Sequence, residues 1–146
     1  MLFSRACEYG IRTMLHLASL SGDSPVLVRD VAEKLDISFP FLAKVVQTLA
    51  RRGLINSHRG RGGGIALSRP SGDFTLRDVV EAIDGLALTQ TCVLGLPECG
   101  DDAPCPLHCQ WGDIRNRIVA MLSEHSLAEF SMELDDRSPV GDDGAS

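Results

Sequence analysis

The chain has 146 residues, of which 44% are hydrophobic, and its formal net charge is −6. This length suits one compact domain with a core of its own. Because the charged residues Arg5, Glu8 and Arg12 interrupt the apolar N-terminal run, we expect no signal peptide, no membrane span there and no membrane partner, but a cytoplasmic protein.

The charge is distributed unevenly along the chain. Residues 1–70 contain ten Lys/Arg and five Asp/Glu, a balance of +5, whereas residues 71–146 contain four and fifteen, a balance of −11. The acidic average therefore conceals a basic N-terminal half, and clustered basic residues are typical of a surface that binds nucleic acid.

Apolar residues at helical spacing predict three helices in the first third of the chain. The first covers about residues 7–20 and carries Cys7 as a small buried hydrophobe. After the extended residues 26–28, a brief second helix ends near Asp36. The third covers about residues 39–52, with Ser38 as its N-cap and Gly53 as its left-handed stop.

A hairpin follows, because residues 54–58 and 65–68 are strand-like and flank the turn Arg59-Gly60-Arg61-Gly62-Gly63-Gly64. Three helices and a hairpin predict a mainly α fold with a small β hairpin, the winged helix-turn-helix. The third helix would enter the major groove of DNA, and the glycines of the hairpin would let backbone and guanidinium groups approach phosphate. The predicted DNA-binding residues are Arg59, Arg61, Gly62 and Gly63 in the wing, and Ser38, Pro40, Lys44, Gln47, Arg51 and Arg52 around the third helix.

The C-terminal half divides into three segments. Thr75 and Asp78 form a capping box for a fourth helix that stops at Gly85, which closes a DNA-binding domain of residues 1–85. Residues 86–109 form a cysteine-rich loop, and residues 110–132 a long helix, with an apolar stripe reaching about Phe130, that could pair with a second copy. Residues 133–146 are acidic and predict a solvated, disordered tail.

The loop concentrates potential metal ligands: Cys92, Cys99 and Cys105 are followed by His108 and Cys109. Soft thiolates select zinc, copper(I) or iron-sulfur clusters. Six residues separate the first two cysteines and five the next two, which disfavours a zinc finger and differs from common ferredoxin spacings. Spacing alone leaves zinc and redox-active thiols open. No grouping of base, nucleophile and oxyanion donors is apparent, so an enzyme is not expected.

Three motifs together resemble the IscR/NsrR-type (Rrf2) bacterial regulators over about residues 1–131. These are the pattern Cys92-x6-Cys99-x5-Cys105-Pro-Leu-His108-x-x-Trp111, the glycine-rich wing, and the opening Ser4-Arg5-Ala6-Cys7-Glu8-Tyr9-Gly10-Ile11-Arg12. The resemblance implies a homodimeric transcription factor, expected to be a repressor, that binds a near-palindromic operator according to the state of an iron-sulfur cluster. The three cysteines would hold the cluster, 2Fe-2S in preference to 4Fe-4S, and Arg59 would enter the minor groove.

The resemblance leaves the fourth cluster ligand open. His108 matches the histidine of iron-sulfur-assembly regulators, Glu8 of the partner subunit matches the acid of nitric-oxide-sensitive relatives, and Cys109 is an extra candidate. Pro40 and Ala43 depart from the polar or acidic residues of the former branch, so its promoter preference is not transferred. The alternatives are a cofactor-free thiol-redox sensor and a zinc-stabilised winged-helix regulator.

Overall fold

The computed structural model describes residues 2–20, 22, 24–85, 90–97 and 99–136, with only the backbone of residues 132–136. In the described part of the chain, no helix is long and apolar enough to cross a bilayer. The elements, in chain order, are α1 (Arg5–Ser19), α2 (Val28–Leu35), α3 (Phe39–Arg51), β1 (Ile55–His58), β2 (Gly64–Leu67), a 3-10 turn (Ser71–Asp73), α4 (Leu76–Ile83), α5 (His108–Ser123) and α6 (Leu127–Asp136).

Local signals set the ends of α2 and α3. Asp36 adopts a left-handed conformation with φ of 54° and ends α2. The Ser38 side chain accepts the backbone N–H of Phe41 at 3.4 Å, which caps α3 as expected. On the inner face of α3, four apolar side chains are buried against the core: Leu42, Val45, Val46 and Leu49. The predicted winged-helix order is confirmed.

The hairpin is anchored to the segment that precedes α2. β1 and β2 pair antiparallel with a register from Ile55 opposite Leu67 to His58 opposite Gly64. Val26 and Ile65 exchange backbone hydrogen bonds of 2.9 and 2.7 Å. Gly64, the first residue of β2, has a φ of +135°, and a Cβ there would collide with the Val26 carbonyl. Only glycine therefore fits at this position.

One core joins the winged helix to the C-terminal helix, with Met14, Leu42, Phe74 and Leu127 all fully buried within it. A second, smaller cluster of Cys7, Val80 and Leu122 ties α1 and α4 to α5. Cys7 is buried as predicted, and burial, followed by the nearby Asp84 carboxylate, raises the pKa of its thiol to about 12. This cysteine is therefore a packing residue.

The C-terminal region differs from the prediction of one helix reaching about Phe130. α5 ends at Ser123, and α6 begins at Leu127 and packs against α1. The break is fixed by tertiary contacts, because the Leu127 N–H donates to the Phe74 carbonyl at 2.9 Å and Ser126 forms a β-bridge with Thr75. Residues 133–136, expected in the acidic tail, belong to α6; residues 137–146 lie outside the described residues, as do 86–89 and 98 of the loop.

Candidate metal centre and nucleic-acid interface

The three predicted cysteine ligands lie together. The Sγ atoms of Cys92, Cys99 and Cys105 are all within 4.8 Å of one another, although six and five residues separate them in the chain. The Sγ atoms of Cys92 and Cys105 are 3.6 Å apart. Two thiolates about 2.3 Å from one tetrahedral metal ion lie about 3.8 Å apart, so this pair already has the spacing of ligands that share a metal.

Backbone amides donate to two of these sulfur atoms, and they favour the thiolate form of Cys92. The Leu94 N–H donates to Cys92 Sγ at 3.4 Å, and the Cys105 N–H donates to Cys99 Sγ at 3.4 Å. Hydrogen bonding, chiefly from the Leu96 backbone, lowers the pKa of the Cys92 thiol to about 7, whereas desolvation raises that of Cys105. A thiolate at neutral pH is what metal ligation requires.

Side chains of α5 hold the loop from one side. The indole Nε1–H of Trp111 donates to the Thr91 carbonyl at 2.8 Å, one residue before the first cysteine. His108, the first residue of α5, places its Nδ1 3.3 Å from Cys99 Sγ and its Nε2 3.1 Å from the Asp101 carboxylate. If Nε2 carries the proton toward Asp101, the Nδ1 lone pair faces the thiols, the arrangement usual for a metal-binding histidine.

The structure separates the other two candidate ligands from this group. Within the described ranges, the set of mutually close metal-ligand atoms contains the three cysteines alone; His108 approaches Cys99 Sγ at 3.3 Å without joining the set, and neither Glu8 nor Cys109 belongs to it. Cys109 is exposed on α5, and Glu8 is half-buried in the first turn of α1. A role for the partner subunit's α1 stays a prediction. Asp101 was not predicted, since one exposed acid in an acidic loop carries no sequence signal.

The predicted DNA-binding residues share an accessible surface. Pro40, Lys44, Gln47 and Arg51 are exposed on α3, at a spacing that places them on one stripe opposite the buried face. Further exposed residues are Ser38 at the N-cap, Arg52 at the C-cap, and Arg59, Arg61 and Gly62 in the wing; Gly63 is partly buried. The Gly63 N–H closes the wing turn on the Gly60 carbonyl at 2.9 Å.

Arg29 is a further basic residue near this surface, and the sequence pattern does not single it out. It is exposed in the first turn of α2, and its guanidinium carbon lies 5.5 Å from the ring centroid of Phe39, the first residue of α3. The sequence carries no local sign of this pairing, because ten positions separate the two residues and the fold alone brings them together.

Known proteins that resemble this chain share its winged helix. The model of the Rrf2 family, described as "Iron-dependent Transcriptional regulator", matches residues 3–133. The chain belongs to the Rrf2 family. The HTH-type transcriptional regulator IscR of Xenorhabdus nematophila is 33% identical to this Rrf2 protein over 123 residues, which are 84% of this chain and 74% of that relative.

Two solved structures share the fold of this Rrf2 protein. CymR, the global cysteine regulator of B. subtilis, has a TM-score of 0.77 at 24% identity, covering 90% of this chain and 96% of its own. IscR of T. potens has a TM-score of 0.74 at 24% identity, covering 94% and 91%. The predicted family and winged-helix fold are thus confirmed, and the chain is a DNA-binding transcriptional regulator and not an enzyme.

Proposed function

We propose that this protein is a homodimeric repressor that binds a near-palindromic operator under the control of an iron-sulfur cluster. Cys92, Cys99, Cys105 and His108 hold the cluster in this proposal. The observation that carries it is the convergence of three thiols within 4.8 Å on a winged helix whose recognition surface is basic and exposed. The match to a family described as iron-dependent supports a cofactor that contains iron.

The donor set suits a 2Fe-2S cluster. Such a cluster takes two protein ligands on each iron, and histidine replaces cysteine as a ligand in some proteins. The four candidate side chains form two close pairs: Cys92 with Cys105, at 3.6 Å, and Cys99 with His108, at 3.3 Å. Pairing of this kind supports 2Fe-2S in preference to 4Fe-4S, and His108 in preference to Cys109 as the fourth ligand.

When bound, a cluster would supply a link among four side chains that responds to redox state, nitric oxide or iron-sulfur status. The chain's own residues pass the state of that link to the DNA-binding surface. His108 and Trp111 attach the loop to α5, and Leu122 of α5 packs with Cys7 and Val80 against α1 and α4. A small displacement of α5 would alter the separation of two recognition helices in a dimer, and coupling energies of about 1–3 kcal/mol are typical for such effects.

The homodimer is supported by an uncovered apolar stripe on α5. Ile114 and Met121 are 53% and 51% exposed, and their spacing of seven residues places them on one face. The cysteine loop exposes further large apolar side chains, Val93, Leu94 and Leu96. Exposed apolar residues of this kind often mark a protein interface, and two-fold pairing would set two recognition helices at successive major grooves.

We expect Ile114→Glu to convert the dimer to a monomer, because the buried carboxylate would lose its hydration without gaining a partner. Sedimentation equilibrium would measure the change. Asn116→Glu adds the same charge at another exposed position of α5 and should leave the dimer intact. A wild-type protein that sediments as a monomer at every concentration would contradict the proposed assembly.

Anaerobic purification tests the cofactor and its control of DNA binding together. The protein should contain iron and acid-labile sulfide at two of each per chain for a 2Fe-2S cluster, with visible charge-transfer absorbance. Removal of the cluster by a chelator should change the affinity for a selected operator duplex by about 5- to 150-fold, the range of ordinary allosteric coupling. An iron-free, colourless protein with chelator-independent affinity would overturn the proposal.

A cofactor-free thiol sensor is the second candidate, favoured by the 3.6 Å separation of Cys92 and Cys105 Sγ. Oxidation of these thiols to a disulfide would then change DNA affinity, and a dithiol would restore it without iron. A zinc-stabilised regulator would instead be colourless, and its melting temperature would fall with chelator. Metal and sulfide analysis of the same preparation distinguishes all three.

A further inference from the structure

A groove of about 430 Å³ separates the start of α3 from the wing. Its lining includes Leu27 and Arg29 at the start of α2, Phe39 at the start of α3, and His58 and Gly63 of the hairpin. None of these residues has a role in holding the cysteine loop, so the groove is distinct from the metal centre.

The position of the groove determines which part of DNA would meet it. A winged helix places α3 in the major groove and the wing at an adjacent minor groove. The sugar-phosphate strand that divides those two grooves must therefore cross between α3 and the wing. This step rests on the proposed function, since it assumes that α3 and the wing engage one duplex.

The charge of the groove suits a phosphodiester. No carboxylate lines it, and Arg29 contributes a guanidinium group. Asp30 and Glu33 lie on the same helix, but among the described residues neither forms an ion pair with Arg29. A positive group without an acidic partner is free to bind an anion, and a planar guanidinium fork matches two phosphate oxygens.

Stacking on Phe39 restricts the conformation of the Arg29 side chain. The Arg29 guanidinium carbon lies 5.5 Å from the Phe39 ring centroid, a cation-π distance. Stacking limits the rotamers of a long side chain, so less entropy is lost when phosphate binds. Leu27 is 54% exposed, so apolar surface for a deoxyribose lies beside the charge.

We infer that this groove binds one phosphodiester of the DNA strand that runs between the major groove and the wing. Arg29 contacts the phosphate, and Phe39 is a positioning residue that acts through Arg29. Because a phosphate contact reads no base, the groove contributes affinity and register to every duplex and little discrimination among sequences.

The salt dependence of DNA binding tests the Arg29 contact. Full-length wild-type and Arg29→Gln proteins are titrated against a short mixed-sequence duplex and against a duplex that the wild type enriches from a random pool. Each phosphate contact contributes about 0.9 to the slope of log K against log salt, and the homodimer carries two copies of Arg29, so Arg29→Gln should lower the slope by about 1.8 on both duplexes. Between about 50 and 200 mM salt, the fold-loss of affinity should be about 12 times smaller for Arg29→Gln than for the wild type.

Arg69→Gln is the matched control. Arg69 is also exposed and stacked on an aromatic ring, with its guanidinium carbon 4.4 Å from the Phe74 centroid, but it does not line this groove. Its slope should equal that of the wild type. Phe39→Leu keeps Arg29 and should weaken binding with little change of slope, and the double variant with Arg29→Gln should lose no more affinity than Arg29→Gln alone.

The possible outcomes separate this inference from the proposed function. Equal slopes for wild type, Arg29→Gln and Arg69→Gln, all steep, would overturn the groove assignment and leave DNA binding intact. Equal slope losses for both arginine variants would also overturn it, since the effect would then be one of net charge. A wild type that binds neither duplex would instead refute DNA binding itself.

Discussion

Cys99→Ala should abolish the iron-sulfur cluster while leaving the winged helix folded. Cys99 has the central position among the proposed ligands, because its Sγ accepts the Cys105 N–H and lies 3.3 Å from His108 Nδ1. Its loss removes one ligand and the group that orders two others. We expect iron and sulfide to fall to background after anaerobic purification, and cluster-dependent DNA binding to disappear with them.

Cys109→Ala provides the matched control for this experiment. It removes an exposed thiol four residues after Cys105 that lies outside the cysteine cluster. The Cys109→Ala protein should retain the full iron and sulfide content and the wild-type absorbance. Far-UV circular dichroism should show the same helical content for both variants. Retention of the cluster by Cys99→Ala, or its loss in Cys109→Ala, would reassign the ligands.

Arg59→Ala should weaken specific DNA binding by about 1–3 kcal/mol at each half-site, the range for an arginine that reads a groove. Arg59 is exposed at the start of the wing turn, directly before Gly60 with its φ of +86°. A guanidinium there can enter a narrow minor groove, where the negative potential is strongest. The effect should be larger for the selected operator than for mixed-sequence DNA, in contrast to the uniform effect expected at Arg29.

Arg77→Ala is a suitable comparison for Arg59. Arg77 is a partly exposed arginine on α4 that pairs with Glu81 at 2.6 Å, and it belongs to neither α3 nor the wing. Electrophoretic mobility shift or fluorescence anisotropy titrations at one fixed salt concentration should show wild-type affinity for this variant. If Arg59→Ala also binds with wild-type affinity, the wing does not contact the operator.

Elements with strong local signals were predictable from sequence. Ser38 caps α3, Gly53 adopts a left-handed φ of +81° after it, and Gly85 follows α4 with a φ of +75°. Thr75 and Asp78 form the expected capping box, with the Thr75 N–H donating to Asp78 at 2.9 Å. Each of these signals acts within a few residues, so the chain alone reveals it.

The break between α5 and α6 had no such signal. Residues 124–126 contain no glycine or proline, and the apolar stripe continues to Phe130. The helix ends because Leu127 is held by Phe74, which lies far away in sequence, and tertiary contacts of that kind override local propensity. The prediction from periodicity of one helix reaching about Phe130 was therefore wrong beyond Ser123.

The cysteine ligands of the site were predictable from sequence, but the contacts between separate elements were not. Residue type and clustering indicated that Cys92, Cys99 and Cys105 converge, and their Sγ atoms do so. The hydrogen bond from His108 to Asp101 and the stacking of Arg29 on Phe39 depend on the relative placement of separate elements. Periodicity and spacing describe single elements, so they do not reveal such pairs.

Leu127 follows the cysteine loop in the chain yet occupies the same interior as Met14 and Phe74. A chimera that joined residues 1–85 to an unrelated domain would lack α6, and it would consequently leave a cavity in the core beside α1, where α6 packs in the intact protein. A design that replaces the cysteine loop of this protein must therefore keep the final helix together with the first four, and place the new loop between α4 and α5.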